Sequence, residues 1–262
     1  KEPIQDRSSS LNNYLESVVE EYQDWQHLYV ELEGQTTETV ESEQENREST
    51  HGRRHKRAWR ALIEPELVEY EMQPFAQPKQ VRLDSLFELV EKPYNVMLLG
   101  EPGSGKTTAF KRIALKVAEE SLQSESDKRI PILLSLSSLQ KADVEGWIRK
   151  YCEELEPYLE EYLKSGKCVF LWDALNEMPF ESKLQYSAKL NALKQFMKDY
   201  PENRFIWSCR RWDYRESLPI RQVEIFPFSD EKIRQFFSNL SEAGERKACE
   251  ALLTHLEFDR ER

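Results

Sequence analysis

The sequence predicts an α/β domain built on a mostly parallel, five-stranded sheet, and three observations carry that prediction. Short, nearly unbroken apolar runs recur along the chain: NVMLL at 95–99, IPILLSL at 130–136, CVFLW at 168–172, RFIWS at 204–208 and VEIF at 223–226. Runs without polar alternation are strands covered on both faces. Segments of helical periodicity separate most of them, as crossovers between parallel strands require. Glycine supplies the third observation. The 262 residues include only eight glycines, yet Gly100, Gly103 and Gly105 crowd together directly after the first run.

Taken in order, residues 11–32 (LNNYLESVVEEYQDWQHLYVEL) carry Leu11, Tyr14, Leu15, Val18, Val19, Tyr22, Trp25 and Leu28 at helical spacing. They predict an amphipathic helix packed on its apolar stripe. Residues 34–57 have almost no apolar side chains and read as a flexible loop. Its tail, His51-Gly52-Arg53-Arg54-His55-Lys56-Arg57, is a compact basic island. A strand is expected around 68–72, and a short helix ends near 85–90 before Pro93. A helix follows the glycine cluster to about residue 120. Another fills 144–163 with an interruption at Pro157, a third spans 182–200, and Ser229 opens a last one with Asp230 and Glu231 in its first turn. The expected organisation is a helical N-terminal extension at 1–80 that includes the charged loop, an α/β core at 81–228, and at 229–262 the start of a further helical subdomain.

Charge is unevenly spread. The formal net charge is −11, but residues 1–50 hold 13 acidic and 3 basic side chains, whereas residues 81–262 hold 31 acidic and 28 basic. The core is therefore close to neutral, and no strong field repels anionic ligands. No window approaches the length of apolar sequence that a membrane span needs, and no basic-then-apolar signal opens the chain. Cys152, Cys168, Cys209 and Cys249 are scattered, without C-x-x-C spacing. That excludes a zinc or disulfide framework and favours reduced thiols in the cytoplasm. His51 and His55 lack a nearby carboxylate or thiolate and are not read as metal ligands.

The glycine cluster carries the chemistry. Gly100-Glu101-Pro102-Gly103-Ser104-Gly105-Lys106-Thr107 fits G-x-x-x-x-G-K-[ST] at every specified position, follows a strand and opens a helix with Thr107 and Thr108. Such a loop turns successive backbone N–H groups, and the positive end of a helix, toward one anion. Lys106 then reaches the β- and γ-phosphates and Thr107 offers a hydroxyl to Mg²⁺, which implies a nucleoside triphosphate site. A magnesium carboxylate is expected at the end of a neighbouring buried strand, and Asp173 after CVFLW fits. Glu177 is the candidate to orient or deprotonate the attacking water. Arg210, at the end of the fourth strand, is the candidate to meet transition-state charge, with Arg211 and Arg215 as nearby competitors.

With these residues in place, the chain resembles the NACHT family of signal-transducing (STAND) P-loop NTPases, in its bacterial, NLR-like form. The matching segments are GEPGSGKTT, IPILLSL, FLWDALNEM, WSCRRWDY and VEIFPFSDEKIRQFF. The family places a small residue after the magnesium aspartate, here Ala174, and an acidic pair three and four positions on, here Asn176-Glu177. Asn176 departs from that pattern, while Glu177 keeps the position assigned to water activation. The resemblance implies a P-loop fold of the ASCE type and a switch between bound ADP and ATP with Mg²⁺. It also implies slow hydrolysis, self-association on activation, and effector and sensor domains outside this chain. In bacteria such proteins serve defence against phage. The resemblance, with the lack of an N-K-x-D motif after Asp173, favours adenine over guanine. Two other readings stand beside it: a nucleotide-gated scaffold without significant turnover, and an AAA+-like ATPase acting on nucleic acid through the basic island. The acidic N-terminus and near-neutral core argue against the second.

Overall fold

The computed structural model describes residues 4–24, 30, 32, 34–38, 79–83, 86–91, 94–124, 128–215, 218, 220–226 and 229–240. Two compact units divide the chain, one formed by Lys1–Thr36 with Arg82–Arg262, the other by Thr37–Val81. Of the second unit, only positions 37–38 and 79–81 are described, all of them extended strand residues. The basic island, both of its histidines and the strand expected at 68–72 lie outside the described residues.

Helix α1 (Ile4–Tyr22) is followed by strand β1 (Gly34–Glu38), of which residues 34–36 belong to the first unit. After β2 (Lys79–Leu83) and a single helical turn, α2 (Glu88–Glu91), the alternating pattern begins with β3 (Val96–Gly100), α3 (Lys106–Gln123) and β4 (Ile130–Ser135). It continues with α4 (Val144–Tyr151), α5 (Leu159–Lys164), β5 (Cys168–Asp173), α6 (Lys183–Asp199), β6 (Arg204–Arg210), β7 (Arg221–Ile225) and α7 (Asp230–Leu240). Strands β3 to β7 coincide with the five apolar runs. They form one parallel sheet in the order β7-β3-β6-β5-β4. One strand, β6, thus stands between the strand that feeds the glycine cluster and the strand that ends in Asp173. This additional strand is the mark of the ASCE arrangement.

The core explains why the runs are so apolar. Every residue of β3 and β5 is buried. Phe170 stacks on Phe205 across β5 and β6 with ring centroids 4.9 Å apart, Trp172 meets Trp207 edge-on at 4.5 Å, and Phe196 of α6 closes over Phe170 at 5.5 Å. Each such pair adds about 0.5–1.5 kcal/mol beyond the area it buries. Helix boundaries follow local chemistry. The Ser182 and Asp143 side chains accept from the N–H groups of Gln185 and Gly146 at the starts of α6 and α4. The expected break near Pro157 is a 3₁₀ segment, Glu153–Tyr158, between α4 and α5.

Two expectations need correction. The first helix spans Ile4–Tyr22 rather than 11–32: Leu11, Leu15 and Val18 form its buried stripe against α3, but Val30 and Leu32 are buried outside any helix. The apolar positions Trp25 and Leu28, on which the longer helix rests, lie outside the described residues. The start of the supposed flexible loop is strand β1, whose Gly34, Gln35 and Thr36 run antiparallel to β7 opposite Ile225, Glu224 and Val223. Sheet hydrogen bonds hold a polar stretch that has no apolar pattern of its own. Among the described residues, no helix is long and apolar enough to cross a membrane.

Candidate nucleotide site

The parallel register gathers the chemistry at one edge of the sheet. Gly100 at the end of β3 lies opposite Arg210 at the end of β6, and Trp172 opposite Trp207 brings Asp173 to the same level. This is the carboxyl edge, where ligands of open α/β sheets bind.

The loop from Gly100 curls through Gly103 (φ 76°) and Gly105 (φ 83°) before α3 starts at Lys106. Both backbones are left-handed, which costs a side chain-bearing residue roughly 1–2 kcal/mol. At Gly105 a Cβ would meet Leu32 at 3.4 Å, an ordinary contact, so the backbone conformation is what calls for glycine there. Lys106 Nζ donates to the carbonyls of Gly100 (2.9 Å) and Glu101 (2.8 Å) and to Ser104 Oγ (3.2 Å), so the lysine lies along its own loop. Burial lowers its pKa, an effect that the Asp173 carboxylate partly offsets.

Asp173 is 6% exposed, and two hydroxyls make that tolerable. Thr107 Oγ1 donates to its Oδ2 at 2.7 Å, and Ser208 Oγ donates to its Oδ1. Ser208 Oγ also accepts the Ala174 N–H at 2.8 Å. Ala174 is in the left-handed region (φ 59°, ψ 58°), among the described residues the sole non-glycine with positive φ. That conformation stores about 1–2 kcal/mol of strain and turns the chain sharply off β5 into the 3₁₀ turn Leu175–Glu177. The turn reaches across to β6. Asn176 Oδ1 accepts the Arg210 N–H at 3.1 Å, and Arg210 Nη2 donates to Glu177 Oε1 at 3.2 Å.

These groups surround a cavity of about 300 Å³. Pro102, Gly103, Gly105, Lys106, Thr107 and Thr108 form one wall; Asp173, Ala174, Asn176, Glu177, Ser208 and Arg210 form the other. Gly100, Glu101 and Ser104 form the body of the loop and hold the lysine. Arg211 points elsewhere, pairing with Glu224 of β7, which leaves Arg210 as the arginine of the cavity. Sequence reasoning gave no role to Ser208 or to the Asn176 amide, although both sit beside residues it singled out. Cys152, Cys168 and Cys209 are free and buried, and burial pushes the Cys209 thiol up to about 11.

Residues 94–243 match the NACHT domain, more than half of the chain. The chain belongs to the NACHT family. Its NACHT domain has the P-loop NTPase fold, and that membership supports nucleotide binding. Similar solved structures include AMPPCP-bound DnaA from Aquifex aeolicus, at 13% identity and a TM-score of 0.39, covering 60% of this chain and 48% of that one. C. elegans PCH-2 is 16% identical with a TM-score of 0.38, covering 61% and 42%. Drosophila ORC bound to DNA is 16% identical with a TM-score of 0.41, covering 59% and 43%. The matched region thus spans less than half the length of each of these three chains. Among curated proteins, none matches.

Proposed function

We propose that this NACHT domain binds ATP and ADP in the 300 Å³ cavity, hydrolyses ATP slowly, and uses the exchange to control self-association of a bacterial NLR-like defence protein. The observation that carries the nucleotide chemistry is the convergence, around one cavity, of a helix-opening glycine loop, an ammonium, a buried hydroxyl–carboxylate pair and a second carboxylate. The loop N–H groups and the start of α3 receive the phosphates. Lys106 exchanges loop carbonyls for phosphate oxygens, a stronger charge-assisted bond.

Thr107 and Asp173 supply hard oxygen donors already in contact, a set that suits Mg²⁺ shared with phosphates and water. Bound there, the ion would neutralise phosphate charge. Glu177 takes the proton of the attacking water, and Arg210, drawn from Glu177 to the γ-phosphate, stabilises charge in the transition state. The control of assembly and the defence role rest on family membership.

Two variants test the reading. Glu177→Gln should keep nucleotide affinity and lower phosphate release about 10²- to 10⁴-fold. Lys106→Ala should weaken nucleotide binding by about 10²-fold. Undiminished hydrolysis by Glu177→Gln overturns the role given to that residue. Bound nucleotide without phosphate release by the unaltered chain favours a scaffold without turnover.

A further inference from the structure

Outside the cavity, the least expected side chain is Lys189 of α6. It is 1% exposed, among the largest fully buried side chains, and lies on the same helix face as Leu190, Leu193 and Phe196. An ammonium placed in a core is costly unless its protons are satisfied. Its hydrogen bonds go to backbone: Nζ donates to the Leu139 carbonyl at 2.8 Å and to the Pro179 carbonyl at 2.6 Å. Burial lowers its pKa, with Glu181 acting weakly the other way.

The two acceptors belong to different loops. Leu139 caps the 3₁₀ turn Leu136–Ser138 that follows β4. Pro179 lies two residues beyond Glu177, just past the 3₁₀ turn Leu175–Glu177 that follows β5. The two turns pack on each other. At its upstream end the β5 turn is fixed by Asp173, Ser208 and the Ala174 backbone. Its buried Leu175 and Met178 hold the middle against the core, while Glu177 faces the cavity. Lys189 fixes the downstream end.

We infer that Lys189 is a positioning residue for turnover: its ammonium ties the loop after β5 to the loop after β4 and thereby holds Glu177 at the nucleotide cavity. The inference rests on the reading of Glu177 as the residue that activates water. A methylene stem of the same length would fill the same space, so packing alone does not call for a charge at this position. What the charge adds is a bond to two carbonyls, from loops that no backbone hydrogen bond of the sheet connects beyond Ser135 and Asp173.

The test compares Lys189→Met, which keeps the length of the side chain and removes the donor, with the unaltered chain. ADP and ATP affinity, kcat, KM and amide hydrogen exchange are measured for each. The expected result is an unchanged ADP affinity and KM, a kcat lower by about 10- to 100-fold, and faster exchange at Leu139, Glu177 and Met178, whose N–H groups close the two turns. Combined with Glu177→Gln, the substitution should produce no further loss, because both act through one group. Unchanged kcat, or an equal fall in nucleotide affinity, overturns the inference. If the unaltered chain proves to release no phosphate, the reading of Glu177 fails instead, and the exchange measurement alone decides whether Lys189 pins the two turns. Should Lys189→Met not fold, Lys189→Leu, which also lacks the donor, is put through the same measurements with the same criteria.

Discussion

Lys106 and Lys189 both hold backbone carbonyls with an ammonium, and they do so in opposite settings. Lys106 stands at the rim of the cavity and bonds carbonyls within six residues of itself, on the loop it belongs to. Lys189 is enclosed, and its acceptors lie ten and fifty residues away on two other loops. The first arrangement can be given up when a better anion arrives, because nothing else depends on it. The second joins separate parts of the fold, so its loss is felt where those parts meet. A charge near solvent therefore suits ligand capture, and a charge in the core suits holding geometry.

Substitutions separate the two roles. The largest effect is expected from Lys106→Ala: loss of a point charge bonded to phosphate should weaken ATP binding by about 10²-fold, with thermal stability nearly unchanged. Isothermal titration and a melting curve check both halves. If Lys106→Ala binds ATP normally, the rim lysine is not a ligand group and the contrast collapses.

Ser208→Ala comes next. It strands the half-buried Ala174 N–H and removes one hydroxyl from the buried Asp173, so a loss of about 1–3 kcal/mol is expected. For a chain of this size that appears as a fall of several degrees in Tm.

A smaller effect concerns pH. Burial keeps the pKa of Lys189 below that of an unfolded lysine, so the unfolded chain holds that proton more tightly. The stability of the unaltered chain relative to Lys189→Met should therefore rise as pH climbs toward about 10.4. Urea melts of both proteins at pH 7 and pH 10 measure the change, and a pH-independent difference contradicts a buried ammonium. The smallest effect belongs to Arg211→Ala, which breaks an ion pair with Glu224 near solvent; its stability should stay within about 0.5 kcal/mol of the unaltered chain.

Much of this site was legible from sequence because its parts are encoded by spacing along the chain. The loop from Gly100 to Thr107 needs consecutive residues of fixed type, and a carboxylate ending a buried strand, as Asp173 does, stands out in any reading. The five strands were equally visible, since burial on both faces leaves no polar alternation.

What stayed hidden depends on partners distant in sequence. Lys189 occupies a stripe position of α6, where periodicity expects an apolar residue, and only the loops at Leu139 and Pro179 explain it. Ser208 reads as an ordinary strand residue until Asp173 and Ala174 are placed beside it. Strand β1 is polar and exists through pairing with β7, and α1 ends at Tyr22 although Trp25 and Leu28 keep helical spacing in the sequence, while Val30 and Leu32 are buried in non-helical backbone.

The most direct test of the account is to denature the purified chain and identify by chromatography what it releases. The account predicts adenine nucleotide in amounts approaching one per chain, and none from Lys106→Ala. A guanine nucleotide, or equal adenine nucleotide from both proteins, would contradict it.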